Sequence, residues 1–149
     1  MKTIYVDNNA TTPVAPEVYQ AMIPFLTDEY FNPSSMYERA RGPSDAIAAA
    51  RDTIAQMLGA VHPDELLFTG CATESNNTAL QGTAHANPSR KHIITTAVEH
   101  PAILEVCKAL ERQGYDITFL PVDDRGVIDV ADYVRALRED TLLVSIMHG

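Results

Sequence analysis

Four things are scarce in this sequence, and each scarcity excludes something. No apolar stretch approaches the ~20 residues that cross a bilayer as a helix, so a membrane-spanning chain is not expected. Positive charge is in deficit: Lys and Arg total 11 against 20 Asp and Glu, for a formal net charge of −9. Nucleic acids and anionic membrane surfaces attract basic faces, so neither is expected as a partner. The acidic residues are scattered, and their charge reads as a solubility feature. Cysteine occurs twice, as Cys71 and Cys107, which gives no disulfide framework and suits a reducing cytosol. The opening MKTIYVDNNATT has no apolar core of a secretion signal. A cytoplasmic location is the expectation.

What remains is an ordinary globular composition, 46% apolar and 21% charged over 149 residues, enough for one domain with a reasonable core. Its pattern is regular. Ile4 to Val6 reads as a short strand, followed by a polar turn and a helix from Pro16 to Leu26. Residues 28–43 are rich in turn formers and read as a loop. From Ser44, Ile47, Arg51, Ile54 and Leu58 fall at helical spacing, and Gly59 stands where a left-handed helix cap belongs. ELLFTG (65–70), KHIITT (91–96), YDITFL (115–120) and TLLVSIM (141–147) read as strands. Helices are expected between them, over 74–84, over 102–113 with Gly114 as stop, and after a capping Asp129 with Val130, Tyr133, Val134 and Leu137 on one face. This alternation predicts an α/β fold, a mostly parallel sheet flanked by helices on both faces.

In such a sheet ligands bind beyond the carboxyl ends of the strands. Three junctions therefore qualify: Gly70–Thr73, Glu99–Pro101 and Met147–Gly149. At the first, Gly70 permits a sharp turn, Cys71 and Ala72 are small, and Thr73 sets a hydroxyl beside the unpaired N–H groups and positive dipole of a helix start. That combination suits a phosphate. The competing reading is that Thr73 only caps its own helix, and neither a Walker loop nor a G-x-G-x-x-G pattern is present. At the second junction, His100 precedes Pro101 and a helix, where a neutral imidazole can stack on a flat ligand or shuttle a proton; a simple cap is the alternative. Cys107 lies within an apolar helix and reads as core. Cys71 reads as a small packing residue rather than a catalytic thiol. His62, His85 and His92 show no metal-ligand spacing, and Glu74 reads as a structural helix-start residue.

Six collinear segments then resemble the cysteine desulfurases of the nitrogenase and iron–sulfur-cluster type, pyridoxal-phosphate (PLP) enzymes of the class V aminotransferase group. They are YVDNNATTPV at the start, NPSS at 32–35, LFTGCATESNN at 67–77, ITTAVEHPAILE at 94–105, LPVDDRGVID at 120–129 and LVSIMHG at the end. The resemblance implies the N-terminal half of a fold-type-I large domain over 16–149, preceded by an arm (1–15) that belongs to the small domain in the family. It implies that Ala72 and Thr73 bind the PLP phosphate and that His100 stacks on the pyridine ring and moves protons. The implied reaction takes sulfur from L-cysteine, giving L-alanine and an enzyme persulfide for iron–sulfur cluster assembly. A homodimer and a scaffold or other sulfur-acceptor protein are the implied partners. Tyr37 stands where the family often has His.

Several parts that the resemblance calls for are not in these 149 residues: the lysine that carries the cofactor, the Asp facing the pyridine nitrogen and the cysteine that receives the sulfur. The sequence has three lysines, Lys2, Lys91 and Lys108, and none is placed on a loop facing the expected site. The chain is therefore expected to be inactive alone and to be a fragment or truncated product. ELLFTG is expected to lose its neighbouring strands, leaving a chain that is marginal by itself. The alternatives are another class V PLP enzyme (a selenocysteine lyase or aminotransferase), a non-catalytic phosphate-binding module, or a generic flavodoxin-like domain in which Thr73 and His100 are structural.

Overall fold

Where apolar residues recur every three or four positions the chain is helical. Where β-branched residues cluster between such segments it pairs into a sheet. The computed structural model describes residues 3–59 and 62–148. The chain divides into two units, Met1–Leu67 and Phe68–Gly149.

The first unit holds α1 (Pro16–Thr27) and α2 (Arg41–Met57). Pro16 occupies the first helical position of α1, where a missing N–H costs nothing. Gly59, just past α2, has φ of +84°, the left-handed conformation that closes a helix end. Arg51 on α2 donates to the carbonyls of Pro63 and Leu66 and so holds the turn at Pro63–Glu65. That turn is capped reciprocally: His62 Nδ1 accepts from the Asp64 N–H at 3.3 Å and Glu65 Oε2 accepts from the His62 N–H at 3.2 Å.

The second unit alternates α3 (Ala72–Ala86), β1 (His92–Thr96), α4 (Pro101–Arg112), β2 (Asp116–Leu120), α5 (Val130–Ala136) and β3 (Thr141–Val144). All pairing is parallel, in the order β2-β1-β3. The chain steps from β1 out to β2, then back past β1 to β3. Ile93 and Ile117 turn one face toward Leu80 and Ala84 of α3 and Ile103, Val106, Cys107 and Leu110 of α4; these form the core. Tyr115 closes its end, with its hydroxyl donating to the Ala84 carbonyl at 2.7 Å.

The opposite side of β1 carries His92, Ile94 and Thr96, all buried. His92 Nδ1 lies 2.8 Å from Thr141 Oγ1 and Nε2 lies 2.8 Å from Thr118 Oγ1, so one imidazole ties three strands together. Burial, and secondarily the charge of Arg138, holds its pKa below the usual histidine value. Arg138 clasps Asp140 with two bonds, at 2.9 and 2.8 Å, and also bonds Asp116, which pins the amino ends of β2 and β3.

Three expected strands differ. Ile4–Val6 is not a strand, and ELLFTG is irregular from Leu66 to Thr69. A strand exists only by pairing, and among the described residues neither segment joins the three-stranded sheet. The side chains of Leu67 and Phe68 are accordingly 69% and 46% exposed. The third, over 141–147, stops at Val144. The helices agree within a few residues, except that α2 begins at Arg41, inside the expected loop, and Leu137 caps α5 rather than continuing it.

Candidate active site

The carboxyl ends of the strands open onto the starts of the helices that follow them. At α3 the chain enters through Cys71, which is extended and makes no side-chain cap. Thr73 therefore sits one position inside the helix, and the alternative in which Thr73 is the cap does not hold. The start is braced from other directions. The Gly70 N–H donates to Glu74 Oε2 at 2.7 Å, the Thr69 hydroxyl donates to the Cys71 carbonyl at 3.2 Å, and Thr69 Oγ1 lies 2.6 Å from Ser75 Oγ. Gly70 is thus already engaged by a carboxylate. The N–H groups of Ala72 and Thr73 stand ahead of the i→i−4 ladder, at the positive end of the helix dipole.

At α4, His100 is the cap. Its Nδ1 accepts from the Ala102 N–H at 3.0 Å, and Pro101 occupies the first helical position. An N–H can only donate, so Nδ1 is the bare nitrogen and the proton of the neutral ring sits on Nε2. The imidazole is therefore a cap and also an exposed ring presenting an N–H.

Thr73 and His100 come together. They line one cleft of about 420 Å³ with Asn77 and Gln81 from α3 and Ala102 and Glu105 from α4. Ala72 is exposed beside this cleft and is not among its lining residues. Asn77 Nδ2 donates to the Thr73 carbonyl at 2.8 Å, and Gln81 Nε2 donates to Asn77 Oδ1 at 3.0 Å. Thr73, Asn77 and Gln81 thus form one polar stripe at four-residue spacing. Asn77 and Gln81 went unselected in the sequence, although that spacing is legible there. Glu99 also went unselected. It is buried at the end of β1, and no sequence signal separates it from an exposed strand-end carboxylate.

The other candidates disperse. Cys107 is buried in the core, and burial, with the charges of Glu111 and Glu99, pushes its thiol up to about 11. Cys71 is exposed, a correction to its reading as a packing residue: the helix start lies at the surface. Of the lysines, Lys108 Nζ is paired with Glu105 at 2.7 Å, and Lys91 Nζ sits 4.0 Å from the centre of the Tyr115 ring, at the amino end of β1. Neither lines the cleft. Lys2, and Gly149 at the third junction, lie outside the described residues.

Two parts of PLP find complementary groups here: N–H groups and a hydroxyl for its phosphate, and an exposed imidazole for its ring. An amine to hold it covalently has no counterpart in the cleft.

The chain is 50% identical to cysteine desulfurase 2 of Trichormus variabilis over 149 residues, all of this chain and 37% of that protein. Among solved structures it is similar to a NifS-like protein (TM-score 0.88, 43% identity, 95% of this chain and 39% of that one). It is also similar to SspA in complex with cysteine (TM-score 0.89, 39% identity, 98% of this chain and 42% of that one). The chain therefore spans well under half the length of the relatives it matches. Residues 4–149 match the aminotransferase class-V family, and the chain belongs to that family.

Proposed function

We propose that this chain forms the N-terminal part of a PLP-dependent cysteine desulfurase. The observation that carries the reading is the meeting of Thr73 and His100 in one groove between α3 and α4, at the starts of both helices. Relatives named cysteine desulfurase at 45–50% identity support it. In this reading the Ala72 and Thr73 N–H groups and the Thr73 hydroxyl hold the phosphate. His100 lies against the ring and moves a proton from Nε2, the nitrogen that its cap bond leaves exposed. PLP supplies an electron sink for bonds at the substrate's α-carbon. L-cysteine loses its sulfur to a protein thiol, giving L-alanine and a persulfide. Cys107 is too deeply buried to be that thiol.

The further assignments are proposals of the same reading: an arm over 1–15, the first half of the PLP-binding large domain over 16–149, a homodimer, a cytoplasmic location and an iron–sulfur scaffold or other sulfur acceptor. With no lysine lining its cleft, the 149-residue chain by itself is proposed not to turn over.

The test is a chimera in which these residues replace the matching stretch of the Trichormus variabilis relative. It should bind PLP and release sulfide from L-cysteine under reducing conditions. Thr73→Ala should weaken PLP affinity by about tenfold or more, the loss of a hydrogen bond to a charged group. His100→Ala should retain PLP and lower kcat by ~10²–10⁴, the scale of a lost proton-transfer group. A chimera that binds PLP but releases only selenide from selenocysteine, or variants that match their parent, would overturn the reading.

A further inference from the structure

We propose that Glu99 is a positioning residue for this site: its buried carboxylate clamps the segment after β3 to the loop that carries His100. The chemistry of the proposal rests on the desulfurase reading, whereas its geometry rests on hydrogen bonds alone.

Glu99 is 6% exposed, and a carboxylate is buried only where donors meet it. Two do. The Thr96 hydroxyl donates to Oε1 at 3.0 Å, and the Met147 N–H donates to the same oxygen at 2.7 Å. Thr96 is the last residue of β1, and Met147 lies three positions beyond β3. The two strands run side by side until the Ser145 N–H donates to the Ile94 carbonyl at 2.9 Å. The next amide pointing the same way along an extended chain is two residues on, at Met147. By then β1 has turned off toward α4. The Glu99 carboxylate supplies the acceptor in its place, and a bond from N–H to carboxylate is stronger than the rung it replaces. One side chain thereby extends the pairing beyond the strand itself.

The consequence falls on two neighbours. Met147 and His148 are held beside Thr96 and Val98, around a small pocket of about 180 Å³. The backbone at 99–100 is held too, because Glu99 points into the sheet edge while His100, the next residue, lines the cleft. The imidazole is thus fixed from both ends, by its own cap bond to Ala102 and by the anchored residue before it.

Backbone amide exchange on the 149-residue chain tests the clamp. In Glu99→Ala the Met147 amide should exchange at least about tenfold faster, while the Ile94 and Thr118 amides inside the sheet change by less than about threefold. Glu99→Gln keeps an oxygen acceptor and should restore most of the protection. Glu99→Met fills the space without an acceptor and gives the same readout if alanine unfolds the chain. In the chimera loaded with PLP, Glu99→Ala should lower kcat by about 10² through misplacement, with PLP content and KM for L-cysteine unchanged and recovery in Glu99→Gln. An unchanged Met147 rate, or sheet amides that accelerate as much as Met147, would overturn the clamp. A parent chimera that binds PLP yet releases no sulfide would overturn the desulfurase reading instead, while the exchange pattern decides the clamp independently.

Discussion

Helix α1 carries Val18, Met22, Ile23, Phe25 and Leu26 and strand β1 only Ile93 and Ile94 among apolar side chains of that size, yet none of the twelve residues of α1 is buried and all five of β1 are. A helix satisfies its backbone within itself, so α1 forms while Val18, Phe25 and Leu26 stay exposed. A strand has no such independence: β1 exists because β2 and β3 pair with it on either side. Segments 4–6 and 66–69 show the other outcome, apolar and β-prone but outside the sheet and therefore irregular. Apolar content proposes an element; for strands, partners decide it.

That contrast can be broken or sharpened by denaturant unfolding of the 149-residue chain. The largest effect is expected at Ile93, fully buried at the centre of the core. Ile93→Ala should cost about 2–5 kcal/mol, because the lost transfer energy and the cavity add. Next is Tyr115→Phe, which removes the shorter of two bonds to the Ala84 carbonyl and leaves the Asn87 N–H at 3.3 Å; it should cost about 0.5–1.5 kcal/mol.

A smaller effect should appear with pH. His92 is neutral in the fold and its pKa lies below the usual 6.5, through burial first and the Arg138 charge second, with Asp116 and Asp140 opposing. The unfolded chain therefore takes up a proton that the folded chain refuses. Stability should be level above about pH 6.5 and fall below it, by at most ~1.4 kcal/mol per pH unit from this group. In His92→Gln this part of the slope should vanish; an unchanged slope would assign the acid sensitivity elsewhere. Least of all should come from α1. Leu26 is 68% exposed, and Leu26→Ala should change stability by no more than ~0.5 kcal/mol. A loss comparable to that at Ile93 would mean that α1 is covered in solution, and the contrast would fail.

Much of the fold was legible because helices announce themselves locally. Pro16, Gly59, Gly114 and Asp129 mark ends that the structure places within a residue or two. The strands at 91–96 and 115–120 were legible from their β-branched runs. The site was legible in part. Thr73 and His100 could be chosen because each stands where an expected strand gives way to a helix, and parallel topology brings such junctions to one edge. Ala72 stood out by the same logic, although the cleft passes beside it. His100 as the cap, and Cys71 rather than Thr73 at the helix entry, needed coordinates, since capping depends on side-chain direction and not only on residue type.

By itself, then, the sequence determined the order of the helices and of strands β1, β2 and β3, the helix stops, the parallel arrangement and the two helix starts that carry the candidate chemistry. All of these follow from periodicity and backbone preference within a few residues. Tertiary structure alone decided which apolar segments became strands, that Thr73 and His100 face one cleft, and that Glu99 turns inward to meet an amide 48 residues away along the chain. Those outcomes depend on partners distant in sequence, and no local pattern specifies which of them a residue will meet.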